Sequence, residues 1–211
     1  MTGLILKDLL NLKKYMKQLG IVLIVFIFIA INLKSPSYVI FMMILITSMM
    51  IVTSMAYDES TKWDKYALTM PITKKDLVKS KYALLVILAL SGGIISLILG
   101  FVISKLTDVS NYKEILLTSF GVTLASLVLF SILLPIIFKM GTEKARIIML
   151  IIFAIPSILA TVLSKFLKDL AIALPTEEQI MYLGYASPFI VLLIVFLSYS
   201  LSVSILNKKE F

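Results

Sequence analysis

The sequence predicts an all-α polytopic membrane protein: six transmembrane helices, an N-terminal amphipathic elbow helix and one structured polar loop. Three observations predict it. Apolar runs of about 20 residues recur, the length that a bilayer's hydrocarbon core demands of a helix. The 211 residues are 60% hydrophobic, with mean hydropathy +1.06. Only 15% are charged, against about a quarter in soluble domains, and the charges gather between the apolar runs. The whole chain, 1–211, reads as one transmembrane domain.

Residues 1–18 form the elbow. Lys7, Asn11, Lys14 and Gln18 make one polar line, with Ile5, Leu9, Leu12 and Met16 opposite. Such a helix lies in the interface with its lysines toward anionic headgroups. The alternative is that this stretch is only the basic end of the first span. No small-residue cleavage site follows Ile31, so it does not read as a removable signal.

The first span covers about Leu19 to Leu33 and ends at the Lys34–Ser37 turn, where Pro36 stops helical bonding. The second covers Tyr38 to Tyr57 and carries no charge. The polar interval 58–81 follows. Trp63, Tyr66, Ala67 and Met70 recur at helical spacing, predicting a short helix over 59–69 that breaks before Pro71. Asp58 and Glu59 are placed to pair with Lys62 on one helical face. Thr73 and Asp76 have the spacing of a capping box, which starts a helix that rises through Lys79 and Lys81 into the third span, Tyr82 to Ser104.

In that span Gly92, Ser96, Gly100 and Ser104 recur every four residues. Small residues on one face let a neighbouring helix approach closely, and packing is the adhesive where lipid supplies no hydrophobic drive. The plainer reading is that Gly and Ser are common in membrane helices. The fourth span covers Ile115 to Phe138, with Pro135 near its end. The fifth covers Ile147 to Ser164, with Pro156 near its middle predicting a kink. A longer connection, 165–185, leads to the sixth, Ala186 to Leu206, with Pro188 in its first turn.

Six spans put both termini on one side. Of the 20 Lys and Arg residues, only Lys34, Lys105, Lys113, Lys165 and Lys168 fall on the other side. The basic bias places both termini and the 58–81 loop in the cytoplasm of a multi-pass cell-membrane protein. It also accounts for the net charge of +8 without a nucleic-acid partner.

Several chemistries are excluded. The chain has no Cys and no His, which removes disulfides, thiolate nucleophiles, Ser-His-Asp triads and the usual zinc ligands. No Gly-rich phosphate loop followed by Lys and Ser/Thr is present. No acid falls inside a predicted span, where an ion- or proton-driven carrier places one. Catalytic and metal-ligating residues are therefore not expected. Trp63, the only tryptophan, has three docking choices: the membrane surface, its own bundle, or a partner.

The interval DESTKWDKYALTMPITKKDLVKSKY resembles the signature of small membrane subunits of ABC-2-type transporters from Gram-positive bacteria. The matching residues are Asp58, Glu59, Trp63, Tyr66, Pro71, Ile72, Thr73, Lys74, Lys75, Val78, Lys79, Lys81 and Tyr82, with Met70 where Leu is more usual. The resemblance implies a permease of the type V exporter kind, paired with a second copy or a close paralogue. It implies separate ATPase subunits that bind ATP and Mg, no cofactor on this chain, and an amphipathic or hydrophobic cargo such as a peptide, antibiotic or lipid. Trp63, Tyr66 and Met70 would then sit at the ATPase groove, with Lys74, Lys75 and Lys79 beside acidic patches or lipid headgroups. The alternative is a non-transporting anchor or sensor subunit of a signalling complex.

Overall fold

The computed structural model describes residues 2–107, 112–152, 154 and 177–209, and the side chains of these except 177–183 and 185. Among them every regular element is helical. The order is α1 Thr2–Lys13, α2 Met16–Asn32, α3 Pro36–Ser60, α4 Trp63–Ala67, α5 Lys74–Leu106, α6 Tyr112–Met140, α7 over 142–152, and α8 Glu177–Lys208.

Four helices are long and apolar enough to cross a membrane: α3, α5, α6 and the 186–208 part of α8. α1 and α2 together make a fifth if they count as one span bent by 60°. The expected count of six is therefore not reached among the described residues. Most of the expected fifth span, with Pro156 and much of the 165–185 connection, lies outside them; α7 is its beginning.

The elbow is shorter than expected. The helix breaks at Lys14–Tyr15, so residues 16–18 belong to α2. Its inward face also differs from the expected polar and apolar lines. Leu4, Asp8 and Leu12, four residues apart, are buried, whereas Leu9 and Met16 are exposed.

Each helix end has a local cause. Lys34 takes a left-handed conformation, φ 49°, before Pro36 at the start of α3, where proline's missing amide has no partner to lose. Lys62 repeats the device, φ 51°, between α3 and α4. The short helix expected over 59–69 is split as a result: Glu59 and Ser60 finish α3, and α4 keeps five residues. Thr73 caps α5 through the expected reciprocal bonds with Asp76. Gly141, φ 84°, separates α6 from α7.

α3 packs along α5, and α6 along α8. The core fills the space between them with Ile51, Val78, Leu84, Leu85, Phe130, Leu134 and Leu206, each at most 1% exposed. α2 is held more lightly; Ala30 is its only buried residue. Gly92 and Gly100 are buried against α3, where an added Cβ would meet Thr47 and Ile40 respectively. Ser96 bonds Ser119 of α6 at 3.2 Å, and Ser48 of α3 donates to Ser126 at 3.2 Å. Small residues thus admit the close approach, and hydroxyls bridge it.

The two described intrahelical prolines follow one rule. A proline cannot bond the carbonyl four residues before it. The carbonyl vacated by Pro135 is that of Ser131, and it accepts the Ser198 hydroxyl of α8. The carbonyl vacated by Pro188 is that of Gly184, and it accepts the Ser187 hydroxyl at 2.7 Å. Pro188 lies well inside α8, not in a first turn, because the helix already begins at Glu177.

Candidate functional site

One end of the bundle gathers the start of α1, the end of α3, all of α4, the start of α5, the α6–α7 turn and the end of α8. Lys7 reaches Asp58, Glu59 reaches Thr142, and Lys74 reaches the carbonyl of Lys209. Chain start, chain end and polar loop therefore share one end of the molecule.

At its centre are four charges from three helices: Lys7 and Asp8 of α1, Asp58 of α3 and Lys81 of α5. Asp8, Asp58 and Lys81 are 1%, 4% and 6% exposed. The Lys81 ammonium spends all three donors: on Asp8 Oδ2 at 2.8 Å, Asp58 Oδ2 at 2.5 Å and Ser54 Oγ at 3.0 Å. Lys7 donates to Asp58 Oδ1 at 2.6 Å and lies 3.0 Å from Asp8 Oδ1. Two cations meet two anions, so the quartet is formally neutral. Neutrality and bonding make the burial tolerable, since an unpaired charge there would be costly.

Lys7 also touches α4, with its Nζ 4.3 Å from the centre of the Trp63 ring. A cation over an indole face is attracted by roughly 0.5–2 kcal/mol. Trp63 packs in turn on Tyr66, ring centres 5.5 Å apart. Ala67 seats α4 in the core at 0% exposure, while Tyr66 stays 57% exposed. A cavity of about 60 Å³ lies beneath, lined by Asp8, Asp58, Trp63, Asp64, Lys81 and Phe138 among others.

Asp64 borders this cavity. Burial first, and then the Asp58 carboxylate, raises its pKa above the ordinary aspartate value; Lys81, Lys209 and Lys7 oppose the shift. The folded chain thus binds the Asp64 proton more tightly than the unfolded chain. The stability this contributes is complete below the unfolded pKa of about 3.9 and is lost as pH rises through the higher folded value. Thermal unfolding should find Asp64→Asn more stable than wild type at neutral pH, the difference closing as pH falls below the unfolded pKa.

The sequence-predicted residues divide into groups. Asp58 and Glu59 do not pair with Lys62, which the left-handed turn turns outward. Asp58 joins the quartet, and Glu59 holds the start of α7 through the Thr142 amide at 2.7 Å and hydroxyl at 2.6 Å. Lys7 points into the quartet and not to headgroups. Lys74 is turned to the end of α8, donating to the carbonyls of Asn207 at 3.4 Å and Lys209 at 2.8 Å, where a cation offsets the helix dipole. Asn11 and Met70 are half-buried, and Pro71, Lys75 and Lys79 are exposed. Lys14 lies 5.6 Å from the Tyr57 ring centre. Gly92, Ser96 and Gly100 belong to the α5 packing faces, away from this end.

Sequence reasoning passed over Asp8 and took Lys81 only as a loop charge and part of the signature. A signal for Asp8 existed. It stands four residues from both Leu4 and Leu12, and an acid in an apolar line asks for a buried cation. Among the described residues no group of acids or histidines is arranged to hold a metal ion. Charges that are mutually paired suit this site to holding helices in register.

A family model described as ABC-2 family transporter protein matches residues 3–207. No curated protein and no solved structure matches the chain.

Proposed function

The chain belongs to the ABC-2 transporter family, and from that premise we propose that it is the membrane permease subunit of an ATP-driven exporter. Separate ATPase subunits bind ATP and Mg and dock at the end of the bundle that carries α4. The basic bias of that end puts it, with both termini, in the cytoplasm. A second copy or a close paralogue completes the path. The cargo is amphipathic or hydrophobic, because the helices offer mostly hydroxyls and glycines, and many of those hydroxyls are bonded to carbonyls of their own helix.

The observation that carries this reading is α4 itself: a five-residue helix set between two non-helical links, seated by Ala67 and presenting Tyr66 outward. Aromatic side chains displayed in this way are favoured anchors for a partner protein. The test is affinity purification of the tagged chain in mild detergent. Wild type should retain a nucleotide-hydrolysing subunit, and Tyr66→Ala should lower its retention at least tenfold with membrane insertion unchanged. Equal retention by the variant would remove α4 as the docking element.

A further inference from the structure

α4 is joined to its neighbours by links that bend. On one side is the Thr61–Lys62 turn with Lys62 left-handed. On the other, residues 68–73 are non-helical and contain Pro71. A displacement of α4 cannot be passed stiffly through either. It is passed through side chains that touch rigid elements, and the Trp63 ring rests on the Lys7 ammonium.

Lys7 differs from the other members of the quartet in one respect. Its side chain is 21% exposed, against 7% or less for the other three. It is the member of the quartet whose charge lies over the Trp63 ring of α4. Behind it, α1, α3 and α5 are tied by pairs at 2.5–2.8 Å. Drawing any pair apart would leave a charge uncompensated where the dielectric is low, so the three helices keep their mutual positions. We propose that Lys7 is a positioning residue that couples α4 to α1, so that movement of α4 enters the membrane helices by way of the elbow and not through the chain's own links to α3 and α5. The coupling deepens the transporter reading and rests on it for its purpose, while the contact itself is testable without a partner.

The experiment is amide hydrogen exchange on the full chain in phosphatidylglycerol–phosphatidylethanolamine vesicles. The forms compared are wild type, Trp63→Ala, Lys7→Met, the double variant and Lys7→Arg. Trp63→Ala should speed exchange in residues 2–13 at least tenfold, although α1 is not its neighbour in the chain. In the Lys7→Met background the same change should add less than twofold. Lys7→Arg keeps both the ion pair and the cation–ring contact and should preserve the wild-type response. Independent roles for Trp63 and Lys7 would give additive effects. Additivity, or an α1 indifferent to Trp63, would overturn the proposal. Trp63→Phe retains a ring and should leave α1 protected; if the alanine variant fails to fold, Trp63→Leu takes its place with the same expectations. Failure of wild type to retain an ATPase would remove the transporter reading and leave the exchange result to decide the coupling.

Discussion

Lys81→Met should cost about 3–5 kcal/mol, the usual penalty for removing one partner of a buried ion pair. The side chain is nearly isosteric with lysine's stem, so little packing is lost. The charge, however, is lost from the middle of the quartet. Asp8 Oδ2 and Asp58 Oδ2 lose their cation, and Ser54 loses its donor. Lys7 alone cannot neutralise two buried carboxylates. Thermal unfolding in detergent should register the loss, and at 37 °C much of the protein should aggregate. The control is Lys81→Met with Asp58→Asn. That pair leaves Lys7 opposite Asp8, restores neutrality and should recover more than half of the stability. If the double variant is as unstable as the single, the penalty comes from shape and not from an uncompensated charge.

Gly92→Leu should cost about 3 kcal/mol, the upper part of the usual range for overpacking. Even a methyl group there collides with the Thr47 hydroxyl and meets Thr47 Cβ at 3.0 Å, with the Ile44 Cα at 3.5 Å behind it. Thr47 is not free to turn away, because its hydroxyl is bonded to the Met43 and Ile44 carbonyls at 2.8 and 3.0 Å. The backbone of α3 must therefore retreat from α5. Gly121 is the contrast. A Cβ there meets nothing within 4 Å, so Gly121→Leu should be neutral or stabilising by up to about 1 kcal/mol through helix propensity. Thr47→Ala should relieve the Gly92→Ala variant in part, since the hydroxyl goes and the Cβ stays. Melting temperatures of this set would decide the matter; equal effects at the two glycines would contradict the packing described.

What the sequence made legible was local or periodic. Thr73 and Asp76 are three residues apart, so their cap could be read from spacing alone. Gly92, Ser96 and Gly100 mark a face by recurrence. The apolar runs of α3, α5 and α6 are long enough to announce themselves. What it hid depends on distance along the chain. Asp58 has a cation four residues away in Lys62, and local rules choose that pair. Its actual partners, Lys7 and Lys81, lie 51 and 23 residues away and meet it only after three helices have packed. The break at Lys14–Tyr15 was hidden for another reason. No proline or glycine marks it, while Gly20 sits unbroken inside α2. There the bend follows where α1 must lie to bring Asp8 to Lys81, a tertiary demand with no local sign.

Pro135 carries a consequence for how α6 and α8 recognise one another. Because Ser198 fastens to a main-chain oxygen, the pair is keyed by a position on the backbone as well as by the contours of facing side chains. Sliding α8 by one residue would swing Ser198 about 100° around its axis and strand both the oxygen and the hydroxyl in hydrocarbon, where neither finds water. The proline and the serine, which look expendable by composition, thus add a polar key to the buried packing of Phe130, Leu134 and Leu206 and hold the two helices to one alignment.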